Sequence, residues 1–514
     1  MSPPRAVVVG AGIGGLAAAM RLAAAGLDVT VLERAAAPGG KLRVERIGGL
    51  AIDAGPTVFT MRWVFDELFA ACGAVLDDHL ELHRAAILAR HAWSAEERLD
   101  LFASVDRSAD AIGAFAGARE AAGYRRFAER ARRVFEALDD CFMRASRPTP
   151  LSLVAGAGAG GIGRLLGISP FATLWRALGT YFRDARLRQL FGRYATYSGS
   201  SPFQAPATLM LIAHAEQRGV WLIEGGMHRL AAAMAAIAAR HGARFRYGAE
   251  AAEIGIARGR AASLRLASGE VIPADIVVFN GEAGALAAGL LGPAAVQAVP
   301  PARSTPSLSA LTLAMLAETR GFPLTPHNVF FAHDYAAEFA ALRDGRLPAA
   351  PSVYVCAQDR RDDSAPPAGA ERLFCIINAP ARALTEAEIA PCETATAALL
   401  ARCGLELAPA PARTVRTTPA AFAARFPGSR GALYGPALHD PMAAFRRPSA
   451  RTRLPGLYLA GGSVHPGPGV PMAALSGRQA ALSALADLPS TVPCRRTAMP
   501  GGMSTPSAMT GATG

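Results

Sequence analysis

The chain has 514 residues, 51% of them hydrophobic, which suffices to bury a large core in about two domains and excludes a disordered chain. Its formal net charge is +12, but Lys41 is the only lysine, and the arginines form no basic helix, finger spacing or RNP-like stretch; a nucleic-acid partner is excluded, and anionic lipid headgroups stay open. Seven cysteines (72, 141, 356, 375, 392, 403 and 494), odd in number and without a CxxC, exclude a disulfide framework and a zinc site and read as buried thiols in a reducing compartment.

The first element is AVVVGAGIGGLAAAMRLAAAGLDVTVL, residues 6–32, which by hydropathy alone could pass for a signal peptide or a membrane span. Its internal order argues otherwise. Ala6 to Val9 is a β-branched run, glycines follow at fixed offsets, and Leu16, Met20 and Ala23 recur at helical spacing up to the capping Gly26. Val29, Val31 and Leu32 then make a second strand ending at Glu33, so the whole is a βαβ unit. Gly10, Gly12 and Gly15 satisfy GxGxxG directly after the first strand, with Glu33 about 20 residues on, as an adenine dinucleotide site requires. Gly10 permits the tight turn, Gly12 lets backbone approach a pyrophosphate, and Gly15 lets the helix pack on the strand. Glu33 would accept a hydrogen bond from the ribose. No other uncharged run reaches the roughly 18–20 apolar residues of a span, so the chain is expected to be soluble or membrane-peripheral.

Ala37-Pro38-Gly39-Gly40-Lys41 and Asp53-Ala54-Gly55-Pro56-Thr57 follow. A nicotinamide domain has no need of them; two more glycine turns bring backbone amides against a longer cofactor, with Lys41 a point charge near its phosphates. The alternative is a surface loop with an ordinary lysine. From about residue 76 the chain reads as helical and arginine-studded, with Phe127, Val134, Phe135 and Leu138 on one face of residues 122–140. A Gly/Ala stretch at 155–167 reads as a loop, with a tunnel- or membrane-facing segment as the alternative. EGGMHRL near 224 opens a helix, and FRYGAEAAEIGI and RAASLRLASGEVIPADIVVFN supply strands.

VVVGAGIGGLAAAMRLAAAGLDVTVLERAAAPGGKLR resembles the FAD-binding N-terminus of the flavin amine oxidase and carotenoid desaturase superfamily. GLYLAGGSVHPGPGVPMAALSGRQAA, residues 456–481, resembles the segment that returns a strand and a helix N-terminus to the flavin ring in that superfamily. The resemblance implies an α/β fold: a discontinuous Rossmann-like FAD-binding domain (1–75, 222–290, 450–487), a mixed α+β substrate domain (76–221, 291–449) and a disordered tail (488–514). It implies noncovalent FAD held by Gly10, Gly12, Gly14, Gly15, Glu33, Arg34, Gly40, Lys41, Gly55, Pro56, Thr57, Ala251, Gly461, Gly462, Val470, Pro471 and Met472.

PGPGVPMAALSG, RFPGSRGALYG (425–435), GRYATYSGSSPF (192–203), GVWLIEGGMHRL (219–230) and HNVFF (327–331) resemble bacterial carotenoid desaturases, most closely the 1-hydroxycarotenoid 3,4-desaturases, also called methoxyneurosporene dehydrogenases. That branch implies a C3–C4 double bond made by hydride transfer to flavin, on a 1-hydroxy or methoxy acyclic carotenoid. It also implies a cytoplasmic protein held peripherally on the inner membrane, with oxygen or a quinone as electron acceptor. A phytoene desaturase, a redox-neutral carotene isomerase or cyclase and a non-catalytic prenyl-escort protein share the fold and stand as alternatives. No Ser/His/Asp or Cys/His set has recognisable spacing, so no acid or base is assigned and no metal is expected. His465 is a candidate beside the flavin, against a turn-capping imidazole; Glu224 contacts the cofactor or starts a helix; Arg193, Tyr194 and Tyr197 line a tunnel, receive a tertiary hydroxyl or simply fill the core.

Overall fold

A computed structural model describes residues 2–156, 171–300, 305–362 and 367–488. The Gly/Ala stretch from residue 157 and the tail from residue 489 therefore lie outside the described residues. Strand Arg5–Val9 is the middle of a five-stranded parallel sheet, ordered Arg244–Tyr247, Asp28–Glu33, Arg5–Val9, Ile276–Phe279, Leu457–Leu459. Its register sets Val8 opposite Val31 on one side and Val278 on the other. Helices cover such a sheet on both faces, which is why RAVVV and IVVF are continuous apolar runs rather than alternating ones. The five strands come from three separate stretches of the chain.

Two helices lock those stretches together. Ile13–Ala24, built almost wholly from Ala, Leu and Gly, is buried along nearly its whole length. Val470–Ala486 packs against it, and the approach is so close that a Cβ at Gly477 would overlap the carbonyl oxygen of Gly14. Gly15 serves the near side in the same way, because a Cβ there would overlap the Gly10 carbonyl oxygen.

The second layer is a seven-stranded mixed sheet, ordered Glu406–Thr417, Ser309–Arg320, Glu371–Ala379, Val353–Ala357, His327–Phe330, Ile87–Ala92, Arg98–Phe102. This corrects the expectation of a helical stretch from residue 76. Ile87–Ala92 is sandwiched between His327–Phe330, which it pairs in parallel, and Arg98–Phe102, which it pairs antiparallel, so burial overrides local propensity. Helices begin only at Val105–Ala116 and Ala118–Leu138, the second burying Phe127, Val134, Phe135 and Leu138 as its spacing implies. Inside this layer Arg360 forks onto Glu371, Nε to Oε2 at 2.8 Å and Nη2 to Oε1 at 2.7 Å, with side chains 4% and 1% exposed. The six described cysteines are free thiols.

Candidate active site

One cavity of about 1150 Å³ runs from the carboxyl edge of the parallel sheet into the space beneath the mixed sheet. Its first wall is the opening turn. Gly10 has φ +94°, and Gly12 caps helix Ile13–Ala24 without any side-chain acceptor, so the first amides of the helix keep their donors for a ligand. A Cβ at Gly12 would come 2.8 Å from Asn280 Nδ2, and one at Gly14 would come 2.8 Å from the Gly461 nitrogen. Glu33 sits in the same wall, 8% exposed, its carboxylate oriented by the Ala11 amide at 2.7 Å and the Ala35 amide at 2.8 Å. Those two bonds leave oxygen lone pairs for a diol.

The opposite wall is the closing segment. Gly461 and Gly462 follow the last strand, and Gly469, with φ +115° and no side-chain cap, starts a helix whose residues Val470, Pro471 and Met472 face the cavity. Arg447, itself in the cavity wall, holds this turn, donating Nη1 to the Gly462 carbonyl at 3.1 Å and Nη2 to those of Tyr434 and Pro436 at 3.1 and 2.7 Å. Burial pulls its guanidinium down to about 10, which still leaves it charged at neutral pH.

Of the residues expected to touch a dinucleotide, Gly10, Gly12, Gly14, Glu33, Arg34, Gly40, Lys41, Gly55, Pro56, Thr57, Ala251, Gly461, Gly462, Val470, Pro471 and Met472 all line this cavity. Gly15 does not; it stands behind the turn as a packing contact. Lys41 lines the cavity already paired, its Nζ donating to Glu282 Oε1 and to the Leu433 carbonyl, each at 2.7 Å, so its charge is balanced by protein. Arg34 donates to the carbonyls of Ala424 and Arg425, both at 2.7 Å. Glu224 is outside the cavity, in an ion pair with Arg361.

His465 is likewise displaced from the chemistry. It is 2% exposed and outside the cavity wall, and its Nε2–H donates to the carbonyls of Phe142 and Ala145 at 3.0 and 2.9 Å. The imidazole therefore pins the end of the arginine-rich helical stretch rather than meeting a ligand. Burial holds it down to about 4, despite those two bonds, and holds the buried His327 at about 4 as well. Folded-state values below the ordinary 6.5 mean that the unfolded chain takes up protons first as the pH falls. Stability is thus full above about pH 6.5 and is lost progressively towards pH 4. Denaturant titrations at pH 7 and pH 5 are expected to show His465→Gln losing about 1–2 kcal/mol less across that interval than the wild type.

Asn280, Gly281 and Glu282 are site residues that the opening and closing motifs do not announce. They follow strand Ile276–Phe279, and Asn280 stands over the glycine turn with Nδ2 3.3 Å from the Gly10 carbonyl. The chain leaves in opposite directions from the adjacent strands Arg5–Val9 and Ile276–Phe279, which makes this crevice the switch point of the sheet. A strand ending in IVVFN at that position was the available signal.

Beyond the cradle the cavity is walled by Leu209, Ile212, Val329, Phe331, Phe374 and Phe445. Polar groups intrude at one end. Thr57 Oγ1 lies 2.7 Å from the Tyr354 hydroxyl, which lies 2.7 Å from His327 Nδ1. Nearby, Tyr194 and Tyr197 both donate to the buried Glu216, Tyr194 at 2.9 Å.

A family model described as flavin containing amine oxidoreductase matches residues 13–485. The chain belongs to that family. Its relatives include proteins named hydroxyneurosporene desaturase from Rubrivivax gelatinosus, 53% identical over 99% of this chain and 98% of the relative, and from Cereibacter sphaeroides, 49% identical over 95% and 98%. They place it among the bacterial carotenoid desaturases. Solved structures agree on the fold alone: putrescine oxidase bound to putrescine superposes with a TM-score of 0.58 at 15% identity, covering 94% of this chain and 99% of that one. This flavin oxidoreductase takes FAD as its cofactor, and the side-chain-free cradle, the two uncapped helix starts and the oriented Glu33 carboxylate fit that group.

Proposed function

We propose that this flavoprotein makes the C3–C4 double bond of a 1-hydroxylated acyclic carotenoid. The observation that carries the reading is one continuous cavity, glycine-lined at one end and apolar at the other. A polyene threaded into the apolar end meets the cofactor end without crossing water. Two near full-length relatives bear the name of a desaturase acting on hydroxyneurosporene. Bound FAD supplies the hydride acceptor. The substrate loses a hydride and a proton from adjacent carbons and is oxidised by two electrons, which oxygen or a quinone finally accepts.

In this reading Gly10, Gly12, Gly14 and the start of Ile13–Ala24 hold the pyrophosphate, and Glu33 holds the adenosine ribose. Ala251 meets the adenine; Gly55, Pro56, Thr57, Gly461, Gly462 and Val470–Met472 surround the ring. Lys41 steadies the cradle through Glu282. No cysteine lines the cavity among the described residues, which favours noncovalent attachment. Segments 1–75, 222–290 and 450–487 form the FAD-binding part, and 76–221 with 291–449 the substrate part. The protein works at the membrane surface, on the cytoplasmic side. Supporting the surface contact, Leu151 and Phe171 are 82% and 83% exposed, and Phe171 lines the cavity together with Pro150 and Leu153.

The test is FAD-loaded protein with 1-hydroxyneurosporene in liposomes. The expected result is a red-shifted absorption spectrum and a product lighter by two hydrogens. Unchanged maxima with oxygen and with quinones would overturn the reading, a product of equal mass would select an isomerase, and repeated desaturation of phytoene would select a phytoene desaturase.

A further inference from the structure

The polar end of the otherwise apolar chamber is built around a cation that the protein leaves underused. Arg193 lines the cavity, with its guanidinium packed over the rings of Tyr194 and Tyr197. Its one hydrogen bond among the described residues is Nη1 to the Tyr197 hydroxyl at 3.3 Å, its Nε is buried without a partner, and no carboxylate comes within ion-pair distance. Glu216, 4% exposed, is near enough to act on it electrostatically but takes its hydrogen bonds from the two tyrosines. Burial disfavours the Arg193 charge, yet Tyr197 and Glu216 hold it above the ordinary arginine range. A buried guanidinium with donors to spare is costly unless an acceptor arrives.

We propose that Arg193, Tyr197 and Glu216 form the socket for the tertiary hydroxyl at the end of the carotenoid. The proposal rests on the substrate reading above and deepens it. A hydroxyl is both donor and acceptor, and the socket matches both roles: Arg193 donates to its oxygen, while Glu216, with lone pairs beyond its two bonds, accepts its proton. A methyl ether can only accept, and a hydrocarbon end does neither, so the socket favours the hydroxylated chain. Position fits as well. The C1 oxygen is three bonds from C3 and four from C4, so at about 1.5 Å per bond it lies within about 5 Å of the reacting carbons. The socket must therefore adjoin the cofactor turn. It does: Arg193, Tyr197, Glu216 and Tyr354 line the same cavity as Thr57 of that turn, whose hydroxyl lies 2.7 Å from that of Tyr354.

The test compares kcat/KM for 1-hydroxyneurosporene, its 1-methoxy ether and neurosporene, together with anaerobic carotenoid binding followed by induced circular dichroism. Wild-type protein is expected to favour the hydroxylated chain over neurosporene at least about 100-fold. Tyr197→Phe, which keeps the ring, and Arg193→Gln should each cut that ratio at least tenfold, mainly through KM and the binding signal. If Arg193→Gln purifies without FAD, Tyr197→Phe alone decides. A ratio unchanged in Tyr197→Phe, or wild-type protein preferring the ether, overturns the socket and leaves the desaturase reading intact. Wild-type protein that converts none of the three overturns both.

Discussion

Gly477→Val is expected to purify with little or no FAD and to unfold at clearly lower denaturant than the wild type. Gly477 lies in the middle of helix Val470–Ala486, where replacing glycine with valine would ordinarily gain a few tenths of a kcal/mol in helix propensity. Here it costs instead, because even a Cβ overlaps the carbonyl oxygen of Gly14. Both groups belong to helix backbones, so neither can rotate away; the helices must part. Overpacking of this kind costs about 1–3 kcal/mol or more. Parting them also draws Val470–Met472 away from Gly12 and Gly14, and these are the two walls of the cofactor cleft. Flavin absorbance per mole of purified protein and urea midpoints are the measurements. Stoichiometric FAD at an unchanged midpoint would mean that the ends of the chain do not grip one ligand.

Arg360→Ala is expected to be the most destabilising single change in the mixed sheet, by about 3–5 kcal/mol, since it strands a carboxylate that is 1% exposed. Glu371 also accepts from the Thr319 hydroxyl, which in turn lies 3.1 Å from Arg360 Nη2, so three strands or strand ends share the fork. The double replacement Arg360→Met with Glu371→Leu should recover much of that loss, because it removes both charges and keeps volume. Denaturant unfolding of the three proteins separates the two cases. A single variant as stable as the double one would show that water reaches Glu371.

The cofactor half of the molecule was legible because its signals are local. GxGxxG, the turns after it and the return at 461–472 each state a backbone requirement within a few residues, and the cavity gathers them. What escaped depends on distant partners. Arg90 pairs with Asn328 across more than half the substrate part, so nothing near residue 87 announces a strand. Lys41 meets Glu282 from 241 positions away, an ion pair that no local pattern announces. His465 stood open between a place beside the flavin and a turn-capping imidazole, because its partners are carbonyls more than 300 positions earlier. The tyrosines near 194 were ambiguous for a related reason: the Glu216 carboxylate that both of them bond lies on a separate helix about 20 positions on, outside any local pattern.

The parallel sheet carries a consequence for how the polypeptide comes into being. Its central strand is made long before its neighbour Ile276–Phe279, and Leu457–Leu459, which pairs that neighbour in turn, follows later still. Until then the nascent Arg5–Val9 can pair only with Asp28–Glu33, its parallel partner across helix Ile13–Ala24, and keeps its other edge open, a situation that slows assembly and invites chaperones. A chain that ends before Leu457 would leave Ile276–Phe279 with an unpaired flank and would lack helix Val470–Ala486, and is expected to be degraded before it binds FAD.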